Sequence, residues 1–115
     1  SRKYNPLVFK KILNESKKIV SSWEGNFYFI YVPSLVCLYQ QKNNLYKKDI
    51  LKLVSDLSIP IIDIEKLINN SFNDPLSLFP PAKDVYLHYN PKGYKFISKV
   101  IIDRLKKDSI ILSYN

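Results

Sequence analysis

The stretch Asn26-Phe27-Tyr28-Phe29-Ile30-Tyr31-Val32, closed by Pro33, decides how the rest of the chain is read. It is an almost unbroken run of aromatic and β-branched side chains, without the alternation of a strand that has one wet face. Such a run fits a strand covered on both faces, as in a parallel sheet, and Pro33 stops it. Upstream, Leu7, Val8, Ile12, Ile19, Val20 and Trp23 recur at helical spacing, with Asn5 as cap and Pro6 in the first turn. This predicts a surface helix over residues 5–23 with one dry face, ended by Gly25. Downstream, residues 34–44 are mixed in pattern and read as loop or short helix. Leu45, Ile50, Leu53, Val54 and Leu57 then form a stripe opposite Lys47, Lys48, Lys52 and Asp56, which predicts a second amphipathic helix over 45–57. Residues 58–63 (Ser-Ile-Pro-Ile-Ile-Asp) read as a short apolar strand, and Asp63 can cap a third helix running to about Asn70.

Helix, buried strand, helix, buried strand, helix in succession implies right-handed βαβ crossovers, hence an α/β domain with helices on the faces of a parallel sheet. The chain is read as one domain over residues 1–115. A loop rich in Asn, Asp and Pro spans residues 71–89, long enough for a functional role to be expected. Asn90 caps a last helix with Pro91 in its first turn and Phe96, Ile97, Val100, Ile101 and Leu105 as its dry stripe, and Ser109 to Ser113 are expected to add a small strand. No internal repeat or low-complexity segment interrupts this order. Two strands alone make a poor sheet with open edges, so more sheet is expected from elsewhere.

With 46% hydrophobic residues the chain can bury a core and is not a disordered tail. The absence of Met fits a processed or truncated product. The formal charge of +8 would attract an anionic polymer or membrane surface if it were clustered. The lysines come instead as pairs, Lys10 with Lys11, Lys17 with Lys18, Lys47 with Lys48 and Lys106 with Lys107, each read as lying on the wet face of a helix. A solvated basic surface is therefore expected rather than a specific nucleic-acid site. Cys37 is the single cysteine, which rules out an internal disulfide, and no run approaches the roughly 18 apolar residues that would cross a bilayer. Neither feature fixes a compartment.

The sharpest constellation is Asp84-Val85-Tyr86-Leu87-His88-Tyr89-Asn90-Pro91-Lys92-Gly93. The only histidine of the chain stands two residues before a capped helix, held by a rigid neighbour yet open to a cleft, as a general base near neutral pH requires. Asp84 can accept a hydrogen bond from one ring nitrogen and leave the other free to take a proton from a serine hydroxyl. The plain alternative is that His88 is an ordinary loop side chain before a helix start.

The block His88-Tyr89-Asn90-Pro91-Lys92-Gly93 resembles the last conserved block of SGNH (GDSL-like) hydrolases, His-x-Asn-x-x-Gly at the start of the closing helix. The order upstream is similar as well: a strand ending in Pro33-Ser34, a helix over 45–57, then Ile59-Pro60-Ile61-Ile62-Asp63. The resemblance covers roughly residues 5–105 and is most specific at the histidine block. It implies a three-layer, flavodoxin-like sandwich, here incomplete, and an esterase or acyl hydrolase acting on an ester or an acylated carbohydrate or lipid, sugar O-acetyl groups included, without a cofactor. It implies His88 as the base and Asp84 as its orienter. Asp84 lies four residues before His88, where the family's Asp lies two or three before it, and a dyad using a backbone carbonyl is the alternative. The family's Gly-Asp-Ser nucleophile block, oxyanion glycine and Gly-x-Asn-Asp block have no counterpart here, so the chain alone is expected to be inactive. The missing half of the domain, or a second copy, is the expected partner.

Ser34 follows a parallel strand, at the edge where open α/β sheets bind ligands, but no Gly-x-Ser-x-Gly elbow surrounds it. It is read as lining a substrate cleft, together with Tyr86 and Tyr89, which bracket His88. Cys37 has no flanking base and reads as a small apolar side chain. One His, one Cys and scattered carboxylates offer no metal-ligand spacing. The competing reading is a non-catalytic α/β binding module for an anionic polymer, whose affinity would fall steeply with salt.

Overall fold

The computed structural model describes residues 4–40, 45–81 and 88–113. Its elements are α1 (Pro6–Ser22), β1 (Phe29–Tyr31), α2 (Leu35–Gln40), α3 (Lys47–Asp56), β2 (Ile61–Asp63), α4 (Ile64–Ser71), a 3-10 turn (Pro75–Leu78) and α5 (Pro91–Lys107). β1 and β2 pair as a two-stranded parallel sheet, with Phe29 N donating to Pro60 O at 2.9 Å. The class is α/β. By compactness the chain divides into two units, Ser1–Ile30 with Asn43–Ile61, and Tyr31–Lys42 with Ile62–Asn115.

In the first unit α1 begins where the sequence says it should. The Asn5 side chain accepts from Leu7 N and Val8 N, and Pro6 opens the helix. The core consists of Leu13, Val54 and Ile59, with Phe9, Phe27, Phe29, Ile50, Leu53, Leu57 and Ile61 packed against it. Phe9 meets Phe29 edge to face at 6.1 Å. The face of α1 that is buried is therefore the Phe9–Leu13 side, not the stripe expected to be dry. Leu7 is 79% exposed and Trp23 66%, and Val8, Ile12 and Ile19 are exposed as well. A single pair of strands offers too little surface to cover both stripes of one helix. The same shortage leaves β1 half-buried rather than covered on both faces.

Helices α1, α3 and α5 end alike. At α1, Glu24 N donates to Ser21 O at 3.1 Å and Gly25 N to Val20 O at 2.9 Å, a Schellman pair, with Glu24 at φ 59. Ser58 (φ 58) and Ser109 (φ 59) hold the equivalent left-handed positions after α3 and α5. Gly25 is thus not the left-handed residue that stops α1. A Cβ there would stand 2.8 Å from Val20 Cγ1, so its role is close packing. After α5 the same motif folds Ile110 N onto Leu105 O at 2.8 Å, and residues 109–113 form a turn and bend instead of the expected small strand.

In the second unit the Asp63 carboxylate accepts from Lys66 N at 3.1 Å and starts α4 directly after β2. Buried apolar side chains here are Leu38, Ile62, Ile64, Ile68, Leu78 and Phe79. Full burial of side chains such as Ile64, Ile68 and Leu78 stabilises by roughly 1.5–3 kcal/mol each. Leu78 and Phe79 belong to the segment read from sequence as loop. Asp74 caps its 3-10 turn through Leu76 N, which turns two large apolar side chains inward. Phe96 of α5 packs edge to face on Phe72 at 4.8 Å.

Candidate functional site

The site is built from the turn His88-Tyr89-Asn90, the first turn of α5, the 3-10 turn and the Pro33-Ser34 pair that follows β1, all within the second unit. Asn90 is its hub. Its Oδ1 accepts from Gly93 N at 2.9 Å, and its Nδ2 donates to Ser77 O at 2.9 Å and to Phe79 O at 3.3 Å. Its backbone N donates to Leu78 O at 2.8 Å. These partners require the amide in one orientation, carbonyl toward the helix and NH2 toward the 3-10 turn. The cap that the sequence announces is thus also a clamp holding the 3-10 turn against α5.

Gly93 makes the clamp possible. It is buried, and a Cβ on it would lie 2.6 Å from Leu78 O and 2.7 Å from Tyr89 Cδ1. The constraint is a close approach of backbones, not an unusual φ.

Tyr89 is half-buried, and its hydroxyl donates to Pro33 O at 2.6 Å. Its ring lies 4.3 Å from Phe79 and 6.0 Å from Tyr94. Burial first, then the Glu65 carboxylate and Tyr94, push the pKa of the phenol well above its ordinary value. Glu65 itself is buried in the first turn of α4, where the helix dipole favours negative charge. Tyr89, one of the residues read as lining a substrate cleft, thus has its hydroxyl proton engaged within the protein.

His88 is exposed, one peptide bond before this anchored ring. Ser34 is exposed, and its Oγ accepts from Cys37 N at 3.2 Å as the cap of α2. The structure therefore joins two of the expected regions, since the residue after His88 is bonded to the residue before Ser34. Asp84 and Tyr86 lie outside the described residues. Cys37 is half-buried. Among the described residues no group of three or more His, Cys, Asp or Glu comes together that could hold a metal ion, and no helix is long and apolar enough to cross a membrane.

Among the basic pairs Lys48 and Lys107 are exposed, and Lys47 and Lys106 are half-buried. Lys10, Lys11 and Lys18 are exposed, whereas Lys17 Nζ donates to Leu57 O at 2.6 Å at the carboxyl end of α3. Sequence reasoning missed this, together with the 3-10 turn and the reason for Gly93. The Asn-Asp-Pro run at residues 73–75 was the signal available for the 3-10 turn, an Asx cap followed by Pro. No protein-family model, curated protein or solved structure matches the chain.

Proposed function

We propose that this chain is the histidine-bearing, carboxyl-terminal part of an SGNH-type serine hydrolase domain that cleaves ester or acyl bonds, sugar O-acetyl groups among them. The observation that carries the reading is the exposed His88, held through Tyr89 to Pro33 just beyond the carboxyl end of a parallel strand. Open α/β sheets bind their ligands at that edge. A His-x-Asn-x-x-Gly block whose Asn and Gly both serve to fix the turn after the histidine is consistent with a site that must present one imidazole repeatably.

In this reading one ring nitrogen of His88 takes the hydroxyl proton of a serine as its oxygen attacks the carbonyl carbon of the ester. The same proton then passes to the leaving alcohol, and water, activated by His88, releases the acyl group. The serine belongs to a Gly-Asp-Ser block outside this sequence. Asp84 or a backbone carbonyl holds the second ring nitrogen. The binding-module reading has less support, because the lysines are spread over several helices and Lys17 is engaged by a carbonyl.

The test is ester hydrolysis by a longer protein that joins this chain to its nucleophile block, with and without His88→Ala. A loss of at least about 100-fold in kcat is expected. Unchanged turnover ends the hydrolase reading.

A further inference from the structure

We propose that Tyr89 is the positioning residue of the histidine turn, its hydroxyl on the Pro33 carbonyl setting where His88 stands relative to the end of β1. The bond is short, 2.6 Å, and spans residues far apart in sequence. The ring that carries the hydroxyl is fixed on several sides. Phe79 lies against it at 4.3 Å and Tyr94 at 6.0 Å, and the backbone of Gly93 comes so near that a methyl group there would meet Cδ1. A ring held on its faces has little freedom left, and a bond at its tip fixes the remaining one. The next residue, Asn90, is fixed by five hydrogen bonds: it donates to Ser77 O, Phe79 O and Leu78 O and accepts from Gly93 N and Tyr94 N. His88 is thereby attached to a rigid dipeptide on its carboxyl side.

This assignment differs from a cleft-lining role, in which the phenol would meet substrate. It rests on the proposed function only in giving the placement of His88 a catalytic purpose, and the placement can be measured without any ester. Because the chain has one histidine, its ring signals in a nuclear magnetic resonance spectrum belong to His88 without assignment by mutation. In the wild-type chain the Tyr89 hydroxyl proton is expected to exchange slowly with water, and the His88 ring to give shifts displaced from those of a free peptide. Tyr89→Phe keeps the ring and deletes only the donor, and should move the His88 signals toward free-peptide positions with increased mobility while the Gly93 amide stays dispersed. Tyr94→Phe, the same chemical change in the neighbouring ring, should leave His88 as it was. In the longer hydrolase Tyr89→Phe should lower kcat about tenfold or more with KM little changed, as misplacement of a catalytic group does.

A fast-exchanging Tyr89 hydroxyl in the wild type, or unaltered His88 signals in a folded Tyr89→Phe, overturns the assignment. The two proposals fail separately. Ordered His88 that depends on Tyr89, together with full turnover in His88→Ala, sinks the hydrolase and keeps the latch. Lost turnover in His88→Ala with His88 indifferent to Tyr89→Phe does the reverse.

Discussion

Between Gly93 and Leu78 there is no room for a methyl group. A Cβ on Gly93 would sit 2.6 Å from the Leu78 carbonyl oxygen, a backbone atom that cannot swing aside. Gly93→Ala should therefore destabilise the protein by about 1–3 kcal/mol through overpacking, despite the higher helix propensity of Ala. Urea denaturation at neutral pH measures it, and equal midpoints for variant and wild type would show that the 3-10 turn yields.

Asn90 separates capping from clamping. At an ordinary helix start Asp serves about as well as Asn. Here Asn90→Asp keeps the acceptor for Gly93 N but sets a carboxylate oxygen against the carbonyls of Ser77 and Phe79. It should cost at least about 1 kcal/mol, since both lose a donor and face a like partial charge. A neutral substitution would mean the cap is all that Asn90 supplies.

The Tyr89 phenol gives stability a pH dependence of known sign. In the unfolded chain it ionises near its ordinary 10.0, while burial, helped by Glu65 and Tyr94, keeps it protonated to higher pH in the fold. The folded state then binds more protons than the unfolded one above pH 10, so its contribution is whole below that point and is lost as pH rises through the raised value. The loss has a ceiling of about 1.4 kcal/mol per pH unit per proton. Stability followed from pH 9 to 11 should fall more steeply in wild type than in Tyr89→Phe, and parallel curves would count against the shift.

Glu24 and Ser58 occupy left-handed positions that glycine fills without strain. Glu24→Gly and Ser58→Gly should each stabilise by up to about 1 kcal/mol, with Glu24→Gly gaining further because it removes a negative charge from the carboxyl end of α1. Thermal melts of the two variants check this, and a lower melting temperature in both would contradict it.

Lys17 ties α1 to α3 through the Leu57 carbonyl at 2.6 Å. Lys17→Met keeps the apolar stem and deletes the cation at a helix carboxyl end, so a loss of about 1–2 kcal/mol is expected in urea titration. No loss would reduce Lys17 to one more solvated lysine.

Helix starts were legible because their chemistry is local. Asn5-Pro6, Asp63 and Asn90-Pro91 each name a cap and a first turn, and each is found at the start of its helix. Helix ends were less so, because glycine is the usual cue for a left-handed residue and this chain uses Glu24, Ser58 and Ser109 there. Periodicity finds apolar side chains but not what covers them. Val8, Ile12, Ile19 and Trp23 share a stripe that reads as dry, but it faces solvent, and the buried residue is Leu13 on the neighbouring stripe. Of the candidate site, His88 and its capped neighbour could be read directly. The need for Gly93 could not, because it depends on a carbonyl fifteen positions earlier that no spacing rule connects to it.

The two compact units are each made of two separated lengths of chain, Ser1–Ile30 with Asn43–Ile61 and Tyr31–Lys42 with Ile62–Asn115. Neither can be excised by a single cut, and during synthesis the earlier one stays unfinished until residue 61 has emerged, by which time a portion of the later one has already left the ribosome. Folding in strict order of translation, the usual habit of successive domains, is closed to this polypeptide.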